Sequence, residues 1–152
     1  MFRGIHSIAI DAKGRLSIPK KVREKLLVAS NGELMVTVGS HASLLVFPLE
    51  EWWSTEEKIL NLPNTNKFNR MLQLAYVGHA TEIDMDANGR ILIPPELRNY
   101  AELDRQAVLI GQGKRLEIWG EEGWRNETEK MRMEIADADH DQYSDAAKEL
   151  FI

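Results

Sequence analysis

One block of this sequence occurs twice. Residues 8–23 read IAIDAKGRLSIPKKVR, and residues 83–98 read IDMDANGRILIPPELR. At an offset of 75, Ile8, Asp11, Ala12, Gly14, Arg15, Ile18, Pro19 and Arg23 recur as Ile83, Asp86, Ala87, Gly89, Arg90, Ile93, Pro94 and Arg98. Eight identities in sixteen ungapped positions lie far above chance. After a loop indel the offset becomes 72: Gly39, Leu44, Glu50 and Trp52 match Gly111, Leu116, Glu122 and Trp124. The chain is therefore two copies of one unit of roughly 45–50 residues, too small to hold much core alone. The two copies are expected to complete one shared core.

Each copy carries the same element signals. Ile5, Ile8 and Ile10 suggest a strand, and Ala12-Lys13-Gly14 a turn, with Gly14 supplying the left-handed residue. Arg15–Ile18 alternates polar and apolar, as the return strand of a hairpin would. Pro19 opens a helix with Val22, Leu26 and Leu27 on one face. Residues 33–39 and 43–47 read as a second hairpin. Pro48 starts another helix, with Leu49, Trp52, Trp53, Ile59 and Leu60 on one side. The second copy repeats this order: strands at 82–85 and 90–93, a helix to about Tyr100, strands near 107–111 and 115–119, then a helix from Glu121. In that last helix Trp124, Met131 and Ile135 are spaced for one face. Between the copies, Phe68, Met71, Leu72, Ala75 and Tyr76 are spaced as an amphipathic helix. The expected fold is α+β with pseudo-two-fold symmetry. The expected parts are repeats at 5–53 and 81–125, a helical connector at 61–79, and a C-terminal helix and acidic tail at 126–152.

The charge is unevenly placed. Taken as one number, the net value of −5 argues against nucleic acid, because a phosphate backbone selects Lys and Arg. Yet residues 1–25 hold seven bases against two acids, whereas residues 120–152 hold four bases against ten acids. The first turn and its helix form a basic pole, with Arg3, Lys13, Arg15, Lys20 and Lys21 among its cations. A two-stranded ribbon fits the DNA major groove. Arg15 beside the turn can reach a guanine edge with two donors, and Lys13 at its tip can touch phosphate. In the second copy Lys13, Lys20 and Lys21 become Asn88, Pro95 and Glu96, so the first copy is the better DNA-facing candidate.

Other chemistries fit less well. With no Cys, disulfides, Cys-ligated zinc and thiol catalysis are excluded. Asp84-x-Asp86-x-Asn88-Gly89 imitates the start of a calcium loop, but its twelfth position is Pro95 where a bidentate Glu is needed. Asp11 and Asp86 each precede an Arg by four residues across a tight turn, which favours a structural carboxylate over a general base. Gly14, Gly89 and Arg90 belong with them as turn-forming residues. The four histidines have no metal spacing, and no nucleotide or nucleophile motif occurs, so no metal, cofactor or catalytic residue is expected. The four Trp read as core or subunit interface. No apolar run reaches transmembrane length, and the start MFRGIHSIAI lacks a signal-peptide core, so a cytoplasmic protein is expected. The rival to DNA binding is a protein-interaction module using the Trp-rich faces.

The paired turns Asp11-Ala-Lys-Gly-Arg15 and Asp86-Ala-Asn-Gly-Arg90, each followed by Ile-Pro and a helix, resemble the SpoVT-AbrB superfamily. Within it the Met1-Phe-Arg-Gly4 start, the tandem repeat and Gly78-His79-Ala80 resemble the MraZ family, over about residues 1–135. The resemblance implies a tandem swapped-hairpin β-barrel with flanking helices and a homo-oligomeric ring. It implies a nucleoid-associated transcription regulator, mostly a repressor. Its double-stranded DNA partner would be repeated promoter boxes upstream of its own division and cell-wall gene cluster. The family's functional Arg falls on Arg15, with basic neighbours on Arg3, Lys13 and Lys20.

Overall fold

The computed structural model describes residues 1–150, which divide into two compact units at Glu121. The first unit contains the strands and turns of both copies. Its elements in chain order are β1 (Ile5–Ala9), β2 (Arg15–Ser17), α1 (Lys20–Ser30), β3 (Glu33–Val38), β4 (Ser43–Pro48), α2 (Leu49–Leu60), α3 (Lys67–Leu72), β5 (Thr81–Asp84), β6 (Arg90–Leu92), α4 (Pro95–Tyr100), β7 (Gln106–Gln112) and β8 (Arg115–Gly120). The fold is α+β with antiparallel strands throughout the registers below.

Strand pairing departs from the simple hairpin expected at the first turn. β1 does not pair along β2: it lies antiparallel to β7, with Ile5 opposite Ile110 and Ala9 opposite Gln106. β5 in turn lies against β3, with Leu34 opposite Ile83. Each copy thus completes its sheet with a strand from the other. Only one isolated bridge, Ile10 to Leu16, remains of the expected hairpin contact. The physical reason lies in the apolar pattern. Leu16 and Ile91 are both fully buried, and they face each other across a separate β2–β6 ladder.

The six-stranded sheet runs β1-β7-β8-β4-β3-β5, an order symmetric about its β8–β4 centre. The registers carry the same symmetry. Leu16 pairs with its repeat-equivalent Ile91, and Leu45 with its equivalent Glu117. A pseudo-two-fold axis therefore passes through both pairs. The main core gathers around it, including Ile8, Leu16, Leu26, Val36, Ile91, Leu97 and Leu109. A smaller cluster of Met35, Phe47 and Trp52 is covered by Ile59 and Val77.

Several helix faces differ from expectation. Pro19 and Pro48 sit one residue ahead of α1 and α2, in extended conformation, while Pro95 does occupy the first turn of α4. On α1, Val22 and Leu26 are buried but Leu27 is 48 % exposed, because it lies about 100° further round the helix. On α2, Trp52 is buried while Trp53 and Leu60 face solvent. The connector is helical, but after α3 it widens into a π-turn at Gln73–Val77. The Thr37 hydroxyl donates to the Tyr76 carbonyl at 2.5 Å, and the Gln73 amide donates to the Ile59 carbonyl at 3.1 Å. The extra residue rotates the helical face. Leu72, Ala75 and Tyr76 are then half-buried, whereas Phe68 and Met71 are exposed.

The second unit holds α5 (Glu121–Ala136), a 3-10 turn (His140–Gln142) and α6 (Asp145–Lys148). No residue of α5 is buried, and Ile135, expected on an apolar face, is 68 % exposed. Among the described residues, no helix is long and apolar enough to cross a membrane.

Candidate nucleic-acid interface

The two Asp-x-x-x-Arg turns are built alike. Asp11 Oδ1 accepts the backbone N–H of Lys13 and of Arg15, each at 2.9 Å, and Oδ2 accepts Arg15 Nε at 2.7 Å. Asp86 Oδ1 accepts the N–H of Asn88 at 2.8 Å and of Arg90 at 2.9 Å, while Oδ2 accepts Arg90 Nε at 3.3 Å. One carboxylate therefore folds the loop and aims the arginine. These contacts lower its affinity for protons. The Arg15 N–H leads in holding Asp11 down at about 2, with the Arg15 side chain and the Lys13 N–H adding to it. Asp86 is lowered in the same sense, chiefly by the N–H of Arg90. Both carboxylates are thus occupied as acceptors, which suits neither a general base nor a calcium ligand at Asp86. Among the described residues, no three His, Asp or Glu side chains gather to hold a metal.

A titration follows with a defined sign. A depressed folded-state value means the stabilisation is complete above about 4, the ordinary carboxylate range, and is lost as pH falls through about 2. Asp11→Asn should remove that acid-side dependence from the turn, with little change in the pH profile above 5. Following the Arg15 Nε–H resonance from pH 5 to pH 2 checks it. A signal that does not respond to pH in wild type would contradict the bond.

The repeats brace each other's turns. Ile18 N–H donates to the Gly89 carbonyl at 2.9 Å, and Ile93 N–H donates to the Gly14 carbonyl at 3.1 Å. Gly14 has φ +89°, and a Cβ there would lie 2.6 Å from the Arg98 guanidinium carbon. Gly89 has φ +75°, and a Cβ there would lie 2.3 Å from Arg23 Nη1. Arg23 Nη1 also donates to the Asn88 carbonyl at 3.2 Å. Each turn is thus packed beneath an arginine from the other copy's helix.

This arrangement sets the outward face. Because Leu16 and Ile91 point inward, Arg15, Ser17, Arg90 and Leu92 point out. Arg15 and Arg90 are diagonal neighbours on that ladder, about 7–8 Å apart by strand geometry. Asp holds the Nε edge of each guanidinium, and among the described residues its two Nη atoms form the free end.

The structure divides the basic residues expected from sequence. Arg15 and exposed Lys13 stand at the twin turns. Arg3 lies beyond the far end of β1, about 17 Å of strand away. Lys20 and Lys21 open α1, and Lys21 lines a groove with Arg3. Sequence reasoning missed Arg23 and Arg98 as members of the turn platform. Their identity across the repeat was the signal, since a freely solvated cation need not recur at the same position.

A duplicated α+β unit whose halves exchange strands and present paired Asp-x-x-x-Arg turns defines a class of tandem-repeat proteins. Within that class, a family model described as "MraZ protein, putative antitoxin-like" matches residues 1–75 and 76–145. A "Transcriptional regulator MraZ" from Methylococcus capsulatus is 48 % identical over 124 residues, covering 82 % of each chain. One from Hydrogenovibrio crunogenus is 45 % identical over 124 residues, covering 81 % of this chain and 82 % of its own. One from Shewanella amazonensis is 44 % identical over 140 residues, covering 91 % of this chain and 92 % of its own. The chain belongs to the MraZ family.

Proposed function

We propose that this chain is a sequence-specific, DNA-binding transcriptional regulator and not an enzyme. The observation that carries the reading is the outward β2–β6 face, where Asp11 and Asp86 hold Arg15 and Arg90 by their Nε atoms. A guanidinium fixed in this way approaches a guanine edge with little rotamer entropy left to lose. Arg15 is the principal base reader, and Lys13 beside it contacts phosphate. Arg3, Lys20 and Lys21 add to the long-range positive field that draws in DNA. Asp11, Gly14, Asp86 and Gly89 shape the platform. The names of the relatives support regulation of transcription as the output.

The same reading takes the exchanged strands as a swapped-hairpin β-barrel formed by repeats at 5–53 and 81–125 with a connector at 61–79, followed by a C-terminal helix and tail at 126–152. It takes the active species as a homo-oligomeric ring on repeated promoter boxes upstream of the chain's own division and cell-wall gene cluster, mostly repressing it. It places the protein in the cytoplasm at the nucleoid. One subunit offers few phosphate contacts, and several identical subunits multiply them through effective concentration.

Salt dependence tests the phosphate role. Each neutralised phosphate contributes about −0.9 to the slope of log affinity against log salt. Lys13→Ala should flatten that slope by roughly one unit per engaged subunit, with base preference unchanged. Gel shifts on the chain's own upstream DNA across a salt series measure it. An unchanged slope would take Lys13 out of the interface.

A further inference from the structure

Much of the positive charge of the first repeat lies away from the twin turns. Arg3, Lys21 and Lys25 stand with Lys114 around a groove of about 700 Å³ on the first unit, outnumbering Glu24 and Glu51 on the same lining. Its floor is apolar, formed by buried Phe2, Val22 and Pro48, with exposed Ala29 and Val28, the latter 90 % exposed, beside them. Two of the cations have partners: Lys25 Nζ donates to the Met1 carbonyl at 3.0 Å, and Lys114 lies 4.0 Å from Glu51. Arg3 and Lys21 have none among the described residues.

An apolar floor inside a basic rim selects a partner that is acidic and apolar at once. A DNA backbone matches the rim but has nothing to bury on the floor. The second unit of this same chain has both properties. At the end of α5, Met133 is 53 % exposed and shares one side of the helix with Glu129, Glu134 and Asp137. Residues 120–152 carry ten acids against four bases, the converse of the basic first repeat.

We propose that the groove of one copy receives the acidic, apolar C-terminal unit of a second copy. The two patches differ, so the contact is heterologous: each copy offers one groove and one tail, and the contact passes from copy to copy. Met133 supplies the buried apolar anchor, and Glu134 and Asp137 on its side of α5 meet Arg3, Lys21 and Lys25 at the rim. In the assembly these cations face protein, so Arg3 and Lys21 add to the field that draws in DNA only where a groove is unfilled, and the direct DNA contacts fall to Lys13, Arg15 and Arg90. The proposal does not depend on the DNA reading, and its test contains no DNA.

Two full-length double variants reverse the charges separately: Lys21→Glu with Lys25→Glu in the groove, and Glu134→Lys with Asp137→Lys in the tail. Sedimentation velocity at low salt gives the mass, and circular dichroism confirms the fold. Wild type is expected to sediment as an oligomer. Each variant alone should fall to smaller species, with self-affinity weakened about tenfold or more. An equimolar mixture should regain mass, because each variant supplies the charge that the other has reversed. A monomeric wild type, either variant keeping wild-type mass, or a mixture that stays small would overturn the proposal. A tail folded onto its own groove gives the last of these patterns or the first. Loss of DNA binding in an Arg15 variant of unchanged mass would touch the DNA reading alone.

Discussion

Arg15→Ala is expected to abolish specific DNA binding while leaving the fold and the proposed assembly intact. The side chain points outward from the β2–β6 ladder and joins no core cluster, so its removal exposes no cavity. Its ion pair with Asp11 is exposed and worth little as stability. A two-pronged guanine contact, by contrast, is worth about 1–3 kcal/mol. That is roughly 5- to 150-fold for each engaged subunit, and the proposed assembly of subunits on repeated boxes would compound it. Arg15→Lys should fail as well, because an ammonium cannot keep the Asp11 bond and also present a planar fork. Arg90→Ala should give a smaller loss, since Asn88 replaces the lysine beside it. The measurement is a gel shift on the upstream DNA at matched salt, with the mass of each variant checked. Wild-type affinity in Arg15→Ala would remove the turn from the interface.

Leu16→Ala acts on the other side of the same ladder and should be the most damaging single truncation there. Leu16 is fully buried against Ile91 on the pseudo-two-fold axis. Deleting a buried Leu side chain costs about 2–5 kcal/mol. A domain holds only about 5–15 kcal/mol in all. The melting temperature should fall by roughly 8–20 °C. The loss should appear as one transition, because the ladder belongs to both repeats. Leu92→Ala, on the exposed face of the same strand pair, should change stability by only about 0.5 kcal/mol. Thermal melts of the three proteins decide this. Two separate transitions in Leu16→Ala, or a melting point within a degree of wild type, would contradict a shared core.

The repeat made much of this readable in advance. Identity at an offset of 75 marked the two turns, and it marked Arg23 and Arg98 before their role was visible. The carboxylate role followed from four-residue spacing across a glycine turn, and both Asp side chains make those bonds. Pairing was not readable, because alternation in β2 says which side of the strand is buried, not which strand lies opposite. Leu16 satisfies the same pattern against Ile10 or against Ile91. Helix faces were read on an ideal 3.6-residue period, which the π-turn at Gln73–Val77 breaks. The division of the cations into a turn set and a groove set was also hidden. It depends on where β1 carries Arg3, and that is settled by β7, a strand of the other copy.

The exchange of strands has a consequence during synthesis. Ile5 finds its partner in Ile110, so β1 leaves the ribosome 105 residues before the strand that completes it. At a bacterial elongation rate of about 5–20 residues per second, the nascent first repeat waits on the order of 5–20 s with an open edge.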